Sequence, residues 1–96
     1  MTAAAAPLVR LRLPAVLKVA VGRQRLRVRG RTVPEALDAA YAELPRLRRH
    51  LTLESGDLRP HVLCIVNGAS VPRDEVASLA LSEGDEIWIQ QAISGG

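Results

Sequence analysis

The sequence predicts an α+β fold, a mixed β-sheet with one main helix packed on one face. Three observations carry this. Two early segments alternate apolar and charged residues with period two, a central stretch carries an apolar stripe at helical spacing, and later segments rich in valine and isoleucine are bounded by turn residues.

Residues 8–14, "LVRLRLP", place Val9, Leu11 and Leu13 on one side and Arg10 and Arg12 on the other, which reads as a half-buried strand. Residues 23–29, "RQRLRVR", repeat the pattern, with Leu26 and Val28 inward and Arg23, Arg25, Arg27 and Arg29 outward. Together they suggest an antiparallel hairpin whose connection is too long for a two-residue turn. Its outer face is rich in arginine.

In "RTVPEALDAAYAELPRL", Thr32 followed three residues later by Glu35 fits a capping box, and Pro34 falls in the first turn, where its missing N–H costs little. Val33, Ala36, Leu37, Ala40, Tyr41 and Leu44 form the apolar stripe, and Pro45 ends or kinks the helix. "RLRRHL" makes a further short turn with Leu47 and Leu51 inward, and "TLESGDLRP" is a loop. "HVLCIVNG" is the most continuous apolar run and reads as a strand buried on both faces, hence central in the sheet. Asn67-Gly68 is a hairpin signal, so "ASVP" turns back as a short strand. An irregular crossing anchored by Val76, Leu79 and Leu81 leads to the turn Glu83-Gly84-Asp85. The last strand is "EIWIQQ", with Ile87 and Ile89 on one face. Strand, strand, helix, strand, short strand, strand is the order of a β-grasp arrangement.

The 96 residues suit one domain, and the 48% apolar, 24% charged composition is that of an ordinary globule. With Tyr41 and Trp88 the only aromatics, the core must be aliphatic. The single cysteine, Cys64, allows neither an internal disulfide nor a one-chain zinc site, and its apolar neighbours make it a core residue. "MTAAAAP" lacks a basic leading region and reads as a loose arm, not a signal peptide. No apolar run spans a bilayer, so neither a membrane partner nor a location outside the cytoplasm is expected.

Catalytic prospects are poor. His50 and His61 flank the central loop without patterned ligands, no serine sits in a nucleophile elbow, and Asp74–Glu75 and Asp85–Glu86 read as solvated turn acids. No enzyme is expected, and no bound cofactor or metal. Most of the thirteen basic residues lie at or before Arg49, whereas seven of the ten acids lie at or after Glu54. On one reading Arg10, Arg12, Arg25 and Arg27 form a docking face for an acidic partner. On another, Glu83, Asp85 and Glu86 sit close enough to offset their mutual repulsion. Nucleic acid is disfavoured, because the interleaved aromatics that stack bases are absent. Trp88 shares parity with Glu86 and Gln90, so its indole lies on the outer face, as a partner anchor or as a cover for arginine stems.

The chain ends "QQAISGG". At an average glycine usage of about 7%, two terminal glycines arise by chance in about 0.5% of chains. The helix opening "TVPEAL", "VNG" after a strand, and "EGDEIWIQQAISGG" together resemble the sulfur-carrier proteins of the MoaD/ThiS family, ubiquitin-like β-grasp folds, over nearly the whole chain from Leu8 to Gly96. Gln90, Gln91 and Ser94 depart from the apolar or proline residues common before the glycines in several members.

The resemblance implies an arm at 1–7, a β-grasp domain at 8–91 and a flexible tail at 92–96. It also implies that a ubiquitin-activating-type adenylyltransferase uses ATP to adenylate the Gly96 carboxylate. A sulfur donor, either a sulfurtransferase or a sulfide source, then makes the thiocarboxylate, and a biosynthetic enzyme accepts the sulfur. The pathway is that of cysteine or a related metabolite, molybdopterin or thiamine. Gly95, Ser94 and Ile93 serve tail recognition, glycine because a chain without Cβ atoms passes a narrow channel. Two alternatives share the same ending: a ubiquitin-like modifier forming isopeptide bonds, and a non-catalytic β-grasp interaction module.

Overall fold

The structure, a computed structural model, describes residues 5–91. Five strands, β1 (Leu8–Arg12), β2 (Arg25–Arg29), β3 (Val62–Val66), β4 (Ala69–Val71) and β5 (Glu86–Gln91), form one mixed sheet in the order β2-β1-β5-β3-β4. β1 runs parallel to β5, and the other neighbours are antiparallel. Helices α1 (Leu17–Val21), α2 (Val33–Glu43) and α3 (Pro45–Leu51) complete an α+β, ubiquitin-like β-grasp fold.

Alternation in β1 and β2 does what period two requires. Val9, Leu11, Leu26 and Val28 are buried, while the arginines between them face out. β1 stops at Arg12 because Pro14 has no N–H to continue the ladder, yet Leu13 stays fully buried and its N–H donates to the Gln24 carbonyl at 2.7 Å. β2 begins at Arg25, two residues later than the alternation suggests. Arg23 turns to Glu43 at the end of α2, 3.2 Å away, and so is not one of the outward arginines of the strand. The connection holds the short helix α1, which sequence periodicity does not reveal: one turn carries no stripe, and only Leu17 of it is buried.

The Thr32 hydroxyl caps α2 by accepting from the Glu35 N–H at 3.4 Å, and the Glu35 carboxylate accepts from the Arg31 N–H at 3.0 Å. Val33, Ala36, Leu37 and Ala40 are buried against the sheet, with Tyr41 and Leu44 partly so. Pro45 ends α2 and opens α3, which buries Leu47 and Leu51. Gly30 lies where β2 meets the first turn of α2. A Cβ there would sit 2.4 Å from the backbone nitrogen of Ala36, so only glycine fits the crossing.

The helices cover one face of the sheet only. This corrects the reading of "HVLCIVNG" as a strand buried on both sides: Val62, Cys64 and Val66 are buried, but Leu63 is 44% exposed and Ile65 half-buried on the other face. β5, not β3, is the central strand. Residues Ala6 and Pro7, at the end of the expected arm, accept hydrogen bonds from Arg29 and Gly30. No helix among the described residues is long and apolar enough to cross a membrane.

Candidate functional site

Two features of the fold converge on β5, the strand that leads to the glycine tail. Ile93, Ser94, Gly95 and Gly96 lie outside the described residues. What is described is how firmly their base is held. β5 pairs with β1 from Glu86 to Trp88 and with β3 from Ile87 to Gln91, where Gln91 faces Val62. Ile87 and Ile89 are fully buried beneath α2 and the rest of the core. Past Trp88 the strand keeps β3 and leaves β1, so its last described residues are bonded on one side.

The start of β5 is pinned by a polar clasp. Asn67 adopts a positive φ of 50° and Gly68 one of 83°, the paired conformation of a tight hairpin turn. The Asn67 side chain accepts from the Glu86 N–H at 2.9 Å and donates to the Asp85 carboxylate at 2.9 Å. Asp85 also accepts from the Ser82 N–H at 2.8 Å, and Glu83 accepts from the Leu8 N–H at 2.9 Å. Asp85 and Glu83 are therefore structural acids. Asp85 is half-buried and Glu83 stays exposed, and neither forms an ion pair within 4.0 Å with an arginine of the outer face among the described residues. "VNG" and "EGD", far apart in sequence, form one joint. Their individual turn signals were legible; the bonds between them were not.

The outer face of the sheet gathers the predicted docking residues. Arg10 stands directly opposite Arg27 and Arg12 opposite Arg25 across the β1–β2 ladder. On the other side, Arg10 is in register with Glu86 and Arg12 with Trp88. Among the described residues no carboxylate lies within 4.0 Å of these four guanidinium groups. The Arg12 guanidinium carbon lies 4.6 Å from the centre of the Trp88 ring, a cation–π contact, while its Nε is covered and has no hydrogen-bond acceptor. Trp88 continues into Ile65, its register partner on β3, and Leu63 pairs with Gln90 one step on. One half of the face is cationic and the other apolar.

Side-chain chemistry of a catalytic kind is sparse. Cys64 is buried in the core, and burial pushes its thiol up, away from a reactive thiolate, with the Arg73 charge opposing. Burial also pushes the Tyr41 phenol up to about 12, with Asp38 adding to the rise and Arg48 opposing it. Among the described residues no three His, Cys, Asp or Glu side chains converge as metal ligands.

The family described as "ThiS family" matches residues 11–96. The chain belongs to the ThiS family. Among solved structures, it is similar to small archaeal modifier protein 1 (SAMP1) from Methanosarcina acetivorans, with 28% identity over 98% of this chain and 100% of that one and a TM-score of 0.80. SAMP1 from Haloferax volcanii matches at 28% identity over 93% and 99% of the two chains, with a TM-score of 0.79. The BexX/CysO complex of Amycolatopsis orientalis matches in fold, at 24% identity over 92% and 99%, with a TM-score of 0.78. No curated protein sequence matches the chain. The fold expected from "TVPEAL", "VNG" and "EGDEIWIQQAISGG" is the fold found, and the chain has the ubiquitin-like framework of sulfur carriers and modifiers.

Proposed function

We propose that this protein is a sulfur carrier, a co-substrate of partner enzymes and not itself an enzyme. In this reading the Gly96 carboxylate attacks the α-phosphorus of ATP in an activating enzyme of the ubiquitin-activating type and releases pyrophosphate. Free sulfide then adds to the acyl carbon and expels AMP; with a sulfurtransferase, the terminal sulfur of its persulfide adds and expels AMP, and a second thiol cleaves the resulting acyl disulfide, leaving the thiocarboxylate and a disulfide on the donor. The resulting thiocarboxylate gives its sulfur to a biosynthetic enzyme, in a cysteine-type, molybdopterin or thiamine pathway of the cytoplasm. Gly95, Ser94 and Ile93 thread the partner's channel, where the absence of Cβ atoms at the two glycines permits close backbone approach.

The observation that carries the reading is the placement of β5. The strand that precedes "AISGG" in sequence is the central one, held at its start by the Asn67–Asp85 clasp and along its length by Ile87 and Ile89. Gln91, the last described residue before the tail, is still paired with Val62 of β3, so the chain enters the tail from the sheet itself. Membership of the ThiS family supports the same role.

The test is intact-protein mass spectrometry after incubation with ATP, an activating enzyme and a sulfur donor. The expected result is a mass gain matching sulfur in place of one carboxylate oxygen, absent from a chain lacking Gly96. A second reading, a ubiquitin-like modifier, is favoured by the likeness to small archaeal modifier proteins. It requires Gly96 to become amide-linked to lysines of other proteins, which the same spectra would reveal as conjugates. Lys18 is the single lysine, which leaves little scope for chains built on the protein itself.

A further inference from the structure

We propose that the outer face of the sheet receives an acidic, apolar-tipped surface of a partner protein. Carboxylates meet Arg10, Arg12, Arg25 and Arg27, and an apolar side chain packs on Leu63 and Ile65, beside the rim of the Trp88 indole that Arg12 covers. The proposal rests on the carrier reading only in taking that partner to be an enzyme that handles the tail.

Charge carries the argument first. Arg10/Arg27 and Arg12/Arg25 are directly opposed cross-strand pairs, an arrangement that repels and weakens a hairpin. The acids that sequence parity offers as compensation are otherwise engaged: Asp85 binds Asn67 and Ser82, and Glu83 binds the Leu8 N–H. Two carboxylates line the cleft with these arginines: Glu43, which is paired with Arg23, and Glu86, half-buried beside Arg10, which makes no ion pair within 4.0 Å among the described residues. The other arginines of the hairpin behave differently. Arg23 pairs with Glu43, and Arg29 donates to the Ala6 carbonyl. Arg29 shares the outer face but is engaged in this way; Arg10, Arg12, Arg25 and Arg27 have no such partner among the described residues.

Geometry narrows the partner. Neighbouring strands lie about 4.8 Å apart and alternate residues of one strand about 7 Å apart, so the four side chains rise from the corners of a small grid. Guanidinium forks suit planar carboxylates in bidentate pairs. Arg12 is already held flat over Trp88, so it has less freedom to lose on binding. The row Arg25, Arg12, Trp88, Ile65 passes from charge to apolar surface within one sheet face. A polyanion without apolar groups would leave Leu63 and Ile65 unused. Nucleic acid would need exposed ring faces for stacking, and the face has a single aromatic, already under a guanidinium.

The experiment titrates the full chain, followed by backbone and indole NMR signals at low salt, with a blocked peptide of four glutamates around one central leucine. A single-stranded oligonucleotide of equal charge and the glutamine version of the peptide serve as comparisons. The expected shifts are confined to β1, β2, β5 and the Trp88 indole, and binding weakens at least tenfold, by order of magnitude, as salt rises to physiological strength. Arg10→Glu with Arg27→Glu removes the binding, and the milder Arg10→Gln with Arg27→Gln weakens it while the remaining spectrum reports an intact fold. Shifts spread equally over Arg46, Arg48 and Arg49 of α3 would overturn the proposal, as would equal binding of the glutamine peptide. Tighter binding of the oligonucleotide at this face would overturn it too, in favour of nucleic acid. Peptide binding should survive deletion of Gly95 and Gly96. A chain that binds the peptide but is never adenylated defeats the carrier reading alone; one that takes up sulfur but ignores the peptide defeats this inference alone.

Discussion

The two faces of the sheet are built from the same strands and obey opposite rules. On the inner face Val9, Leu11, Leu26, Val28, Ile87 and Ile89 are buried among aliphatic neighbours from α2 and α3, and stability comes from apolar area removed from water. One residue away in each strand, the outer face sets arginine against arginine and leaves Leu63 exposed. Such a face does little for the fold. The core carries the stability, and the outer surface contributes little to it.

Substitutions sharpen this contrast, beginning with the largest effect. Ile87→Ala removes a fully buried side chain at the centre of the sheet and should cost about 2–5 kcal/mol, read from urea unfolding. A loss no greater than that of a surface substitution would break the division between the faces. Gly30→Ala forces a methyl group against the backbone of Ala36 and should cost about 1–3 kcal/mol by the same measurement. On the outer face, Arg10→Gln with Arg27→Gln should leave stability unchanged or raise it by about 0.2–1 kcal/mol, because it relieves an opposed like-charge pair.

A further effect appears only at high pH. Tyr41 is the only tyrosine, and its phenol is pushed from 10.0 up to about 12 by burial. The folded state thus holds the proton more tightly than the unfolded chain. The stability contributed is complete below pH 10 and is lost as pH rises from 10 toward about 12. Ultraviolet absorbance of the folded protein should show phenolate appearing only near the upper end of that window, and denaturant should return the midpoint to the ordinary value.

Much of this contrast was legible in the sequence because period two separates the faces of β1, β2 and β5 without any knowledge of the partners. Parity alone placed Arg10, Arg12, Arg25, Arg27 and Trp88 together. The misreadings have physical causes. An unbroken apolar run does not distinguish a strand covered twice from one whose outer face is itself apolar, so the run alone makes Leu63 and Ile65 read as core. One turn of helix leaves no period, which hid α1. The occupation of Glu83 and Asp85 by backbone amides depends on three segments meeting in space, and no local pattern encodes it. The glycine tail was legible as chemistry, and it lies outside the described residues.

In the carrier reading the reacting group is the carboxylate of Gly96 and no side chain of the globule. ATP–pyrophosphate exchange by the activating enzyme, followed against carrier concentration, tests it most directly. The full chain should drive exchange that saturates, and the chain lacking Gly96, folded to the same stability, should drive none. Equal exchange with both chains would contradict the account.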